Sequence, residues 1–242
     1  MLNRISVQVG LLVLLGLVAA LLLPGYYSIN EVTLYLTVVG LIYGLMAAFA
    51  IGVAWNRYMK ITEGLHEELT STFNMYLMMK HSSDKKTAKA IIRQLLDYAE
   101  SARKISWNDY FGAEKVHAKF RKLFEIISKT KVRTSADEEL FAASLDELRD
   151  ASTARNVQLT LSHTPLSVAL WGLLVLLSGS IVIGIFFVAF DNPVLGVLTK
   201  VVMSTAVFAM LIVLRQIDTL QLAAKELHEE PINQIIELEK RD

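Results

Sequence analysis

The sequence predicts an all-α membrane protein in which four transmembrane helices form a two-plus-two arrangement with a cytoplasmic helical domain. Composition is the first observation, because 53% of the 242 residues are hydrophobic, more than in an ordinary soluble domain. The second is the placing of four long apolar runs, two at the start of the chain and two after residue 165. The third is the hydrophilic region between them, residues 56–164, which contains no proline and has helical periodicity.

The first apolar run covers residues 5–23 and is interrupted only by Ser6 and Gln8. A secretory signal peptide is the rival interpretation, but its apolar core would be only about 7–15 residues long. Because this run is longer and ends in Pro-Gly-Tyr-Tyr at residues 24–27, we predict a retained transmembrane helix.

The second apolar run, residues 32–55, contains no charge over 24 residues, enough for a helix to cross a membrane. Small residues recur at every fourth position, and such a row lets helix backbones approach closely in lipid: Gly40, Gly44, Ala48 and Gly52. A bulkier face lies beside this row: Thr37, Leu41, Leu45 and Phe49. Two interpretations stay open, namely that the bulky face lines a pore in an oligomer or that both faces pack inside a bundle.

The hydrophilic region predicts four amphipathic helices, with breaks near residues 81–84, 106–112 and 131–135. The first continues the second span, and Asp84 is a candidate N-cap for the second. The apolar positions predicted to share one face of each helix are, in chain order, Leu65, Leu69, Phe73 and Tyr76; Ala88, Ile91, Leu95 and Ala99; Val116, Phe120, Leu123 and Ile127; and Phe141, Leu145 and Leu148. The fourth helix becomes more polar through Arg155.

Residues 166–190 and 194–214 predict the third and fourth spans, joined by a tight turn at Asp-Asn-Pro, residues 191–193. Lys200 is the one charge well inside a span. It lies about 10 Å below the outer surface, so its ammonium group either snorkels to that surface or serves an outer vestibule or an interhelical contact.

Basic residues set the predicted topology. Both short turns lack Lys and Arg, whereas Arg57 and Lys60 follow the second span directly. The positive-inside rule therefore places both termini and the hydrophilic region in the cytoplasm of a multi-pass protein of the inner or plasma membrane. The predicted divisions are residues 1–55 and 165–215 for the paired spans, 56–164 for the cytoplasmic domain and 216–242 for a cytoplasmic helical tail.

Catalytic and metal-binding patterns are not evident in the sequence. His66-Glu67 has no second histidine four residues later, and neither a phosphate-binding glycine loop nor a nucleophile elbow is present. The chain contains no cysteine, which excludes disulfides and thiolate chemistry, and its 24 basic and 24 acidic residues give no basic bulk to attract nucleic acid. We expect no enzyme activity, cofactor or metal.

Residues 41–45, Leu-Ile-Tyr-Gly-Leu, followed by Trp-Asn-Arg-Tyr at 55–58, resemble the second transmembrane helix of bestrophin channels. The wider layout is similar to that of prokaryotic bestrophin-like membrane proteins. Its further features are Glu68 with Tyr76 after it, Tyr98 followed by Trp107, and the segment from Arg149 to Arg155 that leads to Pro165 and Leu170-Trp171.

The resemblance implies a homo-oligomeric, pentameric ion channel whose second helix lines a hydrophobic neck at Thr37, Leu41 and Leu45, with Phe49 on the same face. Thr37 would make the outer neck wider or wetter. Arg57 and Lys200 are candidates for the inner mouth and the outer vestibule. The acidic calcium clasp of animal bestrophins is not evident, since Glu229-Glu230 is a poor substitute. The implied partners are further copies of the chain, membrane lipid and permeant ions. The alternative is a non-conducting scaffold or sensor whose cytoplasmic helices bind a protein partner.

Overall fold

The computed structural model describes residues 2–22, 25–104, 114–130 and 134–220, and this part of the chain is almost wholly α-helical. Seven helices follow one another there, and the single β-bridge in it joins Tyr27 to Val188. In chain order the helices are α1 (Leu2–Leu22), α2 (Ile29–His81), α3 (Lys85–Lys104), α4 (Glu114–Ser128), α5 (Ser135–Ser162), α6 (Val168–Phe187) and α7 (Pro193–Asp218).

Three of these helices are long and apolar enough to cross a membrane: α2 through its N-terminal half, α6 and α7. The first predicted span is also helical, and its apolar stretch in the described residues is the shorter Gly10–Leu22. The all-helical class predicted from composition is therefore confirmed.

Helix α2 is a single helix of 53 residues. Its sequence contains no proline that would break it, and its first turn is capped. Ser28 precedes its first residue, and the Glu31 carboxylate accepts hydrogen bonds from the Ser28 backbone N–H at 2.7 Å and from its hydroxyl at 2.9 Å. This is the return half of a capping box. The helix ends at His81, where the sequence predicted a break.

The chain divides into two compact units. The first contains residues 1–56 and 166–219, and the second contains residues 57–165 and 220–242. In the first unit α7 packs against both α1 and α6. Gly16 permits a close approach of α1, since a Cβ there would lie 3.2 Å from the Ser204 Oγ. Helix α2 joins this packing through the Tyr43 hydroxyl, which donates to the Val207 carbonyl at 3.3 Å.

Two turns of the first unit are joined by backbone hydrogen bonds. The N–H groups of Tyr26 and Tyr27, between α1 and α2, donate to the Phe187 carbonyl at 2.9 and 3.1 Å. In return the Ala189 N–H, between α6 and α7, donates to the Tyr27 carbonyl at 2.8 Å. The turn that connects the first helix pair therefore lies directly against the turn that connects the second pair.

The second unit has a helical core formed from the apolar faces that the periodicity predicted. Helix α4 packs against both α3 and α5. Every predicted core position whose side chain is described is buried or packs against the core; Phe73 and Leu145 are the partly buried ones.

Helix α5 continues past Arg155 to Ser162, and Ala151, Ala154 and Gln158 are buried in the same helix face. The boundaries of the last two spans shift from the predicted ones. Helix α6 ends at Phe187, and Asn192 caps α7 with its side chain ahead of Pro193. The predicted break at residues 106–112 and the predicted tail after residue 220 lie outside the described residues.

Candidate functional site

One face of α2 is fixed against the rest of the first unit. Tyr43, Ala47, Ala50 and Ala54 recur at three- and four-residue intervals and are all at most 6% exposed. Such spacing places them on one side of the helix. Because these residues are buried, this side of α2 is committed to packing within the chain.

The bulky face predicted for the second span is open. Leu41, Leu45 and Phe49 are 64%, 66% and 62% exposed, and Thr37 is exposed as well. The structure therefore brings the four predicted neck residues together on one side of α2, away from the packed face. A contiguous apolar surface of this kind is covered by lipid or by other protein chains.

The row of small residues is also unused within the chain. A Cβ added at Gly40, Gly44 or Gly52 would meet no atom within 4 Å. Gly184 on α6 is different, since a Cβ there would lie 2.8 Å from Leu36 Cδ2. Neither the row nor the bulky face beside it packs against the described residues of the same chain.

Arg57 lies on the opposite side of α2 from the predicted neck. Its side chain is buried, and its Nη1 donates to the Thr164 carbonyl at 2.8 Å. The guanidinium group thus binds the end of the segment that follows α5. The structure does not bring Arg57 together with Leu41 and Leu45.

Lys200 is buried in the first unit, with 6% of its surface exposed. It lies on the same face of α7 as Ser204 and Val207, which are also buried. The Ser204 hydroxyl donates to the Lys200 backbone carbonyl at 2.7 Å, so the buried Ser204 side chain has its hydrogen-bond partner within α7. The aliphatic stem of Lys200 therefore packs among helices rather than along an open surface.

The second unit contains a buried polar network that joins three helices. The Glu68 carboxylate on α2 accepts from Arg155 Nη1 at 2.8 Å, from Gln158 Nε2 at 3.0 Å and from the Tyr98 hydroxyl. Arg155 also donates to the Tyr98 oxygen at 2.7 Å. All four side chains are at most 4% exposed. Charges this deep are tolerated only when they are paired and hydrogen-bonded.

A second carboxylate, Asp137, holds the turn between α2 and α3. It accepts from the Ser82 hydroxyl at 2.9 Å, from the Ser83 N–H at 2.8 Å and from the hydroxyls of Ser83 and Thr134. Hydrogen bonds from Ser83 and Thr134 hold the pKa of Asp137 well below its usual range. The carboxylate is therefore ionised at any physiological pH.

Asp218 plays a related part at the end of α7. Its carboxylate accepts from the Leu166 N–H at 2.9 Å and from the Trp171 indole N–H at 3.0 Å. These bonds tie the end of α7 to the start of α6. Among the described residues, no group of three or more His, Cys, Asp or Glu side chains is placed to hold a metal ion.

The sequence offered partial signals for these contacts. Glu68, Tyr98 and Arg155 belong to the features that resemble bestrophin-like proteins, but their mutual contact could not be inferred from spacing. Asp137 lies in the first turn of α5, where the helix dipole favours an acidic residue. Its bonds to Ser82 and Ser83 come from another helix boundary, 55 and 54 residues away.

Comparison of this chain with known proteins identifies a matching family model and similar solved structures. A family model described as the bestrophin-like domain matches residues 7–219. A crystal structure of a bacterial bestrophin homolog from Klebsiella pneumoniae is similar over 96% of this chain and 95% of that chain, with a TM-score of 0.71 and 11% identity. A single-substitution variant of a bacterial bestrophin homolog from that organism is similar over 98% of both chains, with a TM-score of 0.69 and 12% identity. Curated protein sequences give no match. At these identities the structural likeness shows the fold.

Proposed function

Because this chain belongs to the bestrophin-like family, we propose that it is a pentameric ion channel whose pore is lined by the membrane-spanning half of α2. The observation that carries the proposal is the open apolar face of that helix, with Leu41, Leu45 and Phe49 each more than 60% exposed. A subunit with so few spans cannot enclose a pore by itself. Copies arranged about an axis would turn this face towards the pore and bring the open glycines against a neighbouring copy.

The proposed neck works by controlling whether water fills it. Repeated around an axis, Leu41 and Leu45 form rings of apolar side chains, and a narrow apolar ring expels water and stops ions. Thr37, at the outer end of the same face, adds a hydroxyl that keeps the entrance wetter. Phe49 extends the apolar face inward.

Topology follows the positive-inside rule, with both termini and the second unit in the cytoplasm. The direct hydrogen bonding of the two short turns, neither of which contains Lys or Arg, supports their lying on one side of the membrane. The four spans then form the two-plus-two arrangement.

The test is ion flux through purified protein in liposomes. We expect Leu41→Ala and Leu45→Ala to raise flux several-fold, because a less apolar and wider ring is easier to wet. Leu14→Ala is the matched control, since Leu14 is 60% exposed but lies on α1. A folded, oligomeric protein that conducts neither as wild type nor as either neck variant would contradict the channel and favour the scaffold or sensor.

Lys200 is assigned to an outer vestibule or to an interhelical contact. Lys200→Glu should shift the reversal potential if its charge acts on the permeating ion, while Lys200→Met keeps the stem and removes the charge. An unchanged ion preference in both conducting variants leaves Lys200 with the interhelical role only.

A further inference from the structure

The open face of α2 continues beyond the membrane-spanning residues. Successive residues of a helix are rotated by about 100°, so positions that share a sector of about 100° can be assigned from their numbers. Counted from Leu41 and Leu45, the sector passes through Gly52 and continues into the hydrophilic half of the same uninterrupted helix. We call these positions, all polar except Met59, the inner stripe: Asn56, Met59, Glu63, His66, Glu67 and Thr70.

Every residue of the inner stripe is exposed in the single chain. The opposite side of the same helix half is buried, with Ile61, Leu65, Glu68, Thr72 and Met75 all at most 2% exposed. The helix thus keeps one packed side and one open side along both of its halves. The open side changes from apolar to polar at Asn56, where the uncharged run ends.

The charge on the inner stripe is acidic. Glu63 and Glu67 lie within it, whereas Lys60 falls about 20° outside its edge on the same helical count. Arg57 is buried on the opposite side and bonded to the Thr164 carbonyl. Each copy of the helix therefore presents two carboxylates and no arginine or lysine within this sector.

We propose that the inner stripe lines the cytoplasmic continuation of the pore, and that Glu63 and Glu67 make conduction favour cations over anions. This inference rests on the proposed function, in which the neck face of α2 turns towards the axis. Repeated in every copy, the two carboxylates form two rings one helical turn apart. Rings of acidic side chains concentrate cations and repel anions in a confined aqueous space.

The first experiment measures reversal potentials under a KCl gradient across liposomes or planar bilayers. The variant Glu63→Gln/Glu67→Gln should lower the K⁺ to Cl⁻ permeability ratio by about tenfold, which corresponds to about 1.4 kcal/mol of lost attraction. The matched control is Glu138→Gln/Glu139→Gln, which removes two exposed carboxylates from α5 and should leave the ratio unchanged. A conducting double variant with the wild-type ratio overturns the inference and leaves the channel standing.

The second experiment uses the absence of cysteine from the chain. A cysteine at His66 or Thr70 should react with a charged thiol reagent added from the cytoplasmic side, and the reaction should reduce the current by most of its value. Thr153→Cys, exposed on α5, is the control that reacts without loss of current. Modification of His66→Cys and Thr70→Cys with full current overturns the inference. A folded wild-type oligomer that carries no current overturns the channel itself, and the inference with it.

Discussion

Glu68 is a carboxylate with no exposed surface, and it forms an ion pair with the guanidinium of Arg155 at 2.8 Å. Removing one partner of a buried ion pair leaves the other charge unpaired and typically costs 3–5 kcal/mol. We therefore expect Glu68→Ala and Arg155→Ala each to lower the free energy of unfolding by about 3 kcal/mol or more. Denaturant unfolding of the purified protein, followed by circular dichroism, measures this loss.

The control for that prediction is the pair of Lys119 and Asp97, which are joined at 2.6 Å but remain partly exposed. Asp97→Ala should cost less than about 1 kcal/mol, because water screens an exposed pair. Equal losses from Glu68→Ala and Asp97→Ala would contradict the structural role assigned to the buried network.

Asp137 is expected to make the folded protein less stable as the pH falls. Hydrogen bonds from Ser83 and Thr134 lower its folded pKa, so its contribution is fully present above the ordinary carboxyl pKa of about 3.9 and is lost as pH falls below that value. Asp137→Asn should lower the melting temperature by a constant amount between pH 5 and 8, on the order of several degrees. The difference should narrow below about pH 4. A difference that widens on acidification would show that the carboxylate is not stabilised as an anion.

Residue identities alone could not reveal these contacts. Most carboxylates on a charge-rich helix are solvated, and nothing in the spacing distinguishes Glu68 from Glu67. The two side chains differ only because one points into the packed side of α2 and the other away from it. Partners 87 residues apart, as Glu68 and Arg155 are, become visible only when the helices are assembled.

At the scale of elements the sequence was more informative. The periodicity located the packed faces of the helices in the second unit, and Ser82 to Asp84 marked the end of α2 because serine and aspartate compete for the backbone. The ends of the spans were less well predicted. Helix α7 continues past the predicted end at residue 214 to Asp218, whose carboxylate accepts from the Leu166 N–H.

Gly25 tests whether the two joined turns matter to the first unit. A Cβ at this position would lie 2.4 Å from the Val188 carbonyl and 2.5 Å from Ala189 backbone atoms, so one turn would have to move. Gly25→Ala should lower the melting temperature of the protein in detergent by several degrees. Gly179→Ala on α6 is the matched control, since a Cβ there meets nothing within 4 Å. Equal melting temperatures for the two variants would show that the turns separate at little cost.

At the scale of the whole molecule, the proposed oligomer accounts for the surfaces of α2 that the single chain leaves uncovered. Gly40 and Gly44 provide a small-residue surface, or groove, on α2 where an added Cβ would meet no described atom of the same chain within 4 Å. Since small residues let helices approach closely in lipid, the groove suits a helix of another copy. The sequence identified this row, and the structure adds that the row is open beside the neck face.

Gly44→Leu should therefore disrupt the oligomer without unfolding the subunit, because the added side chain fills the groove, and a Cβ at this position meets no described atom of its own chain within 4 Å. Native mass spectrometry from detergent should show a shift from the oligomer to the single chain, while circular dichroism keeps its helical signal. Gly179→Leu makes the same change at another open glycine, on α6, and should keep the wild-type mass. If Gly44→Leu keeps the full oligomeric mass, the groove is not an assembly surface. Contact between the α2 helices of neighbouring copies would then run through the opposite flank of the neck face, where Tyr35, Ile42 and Val53 are exposed.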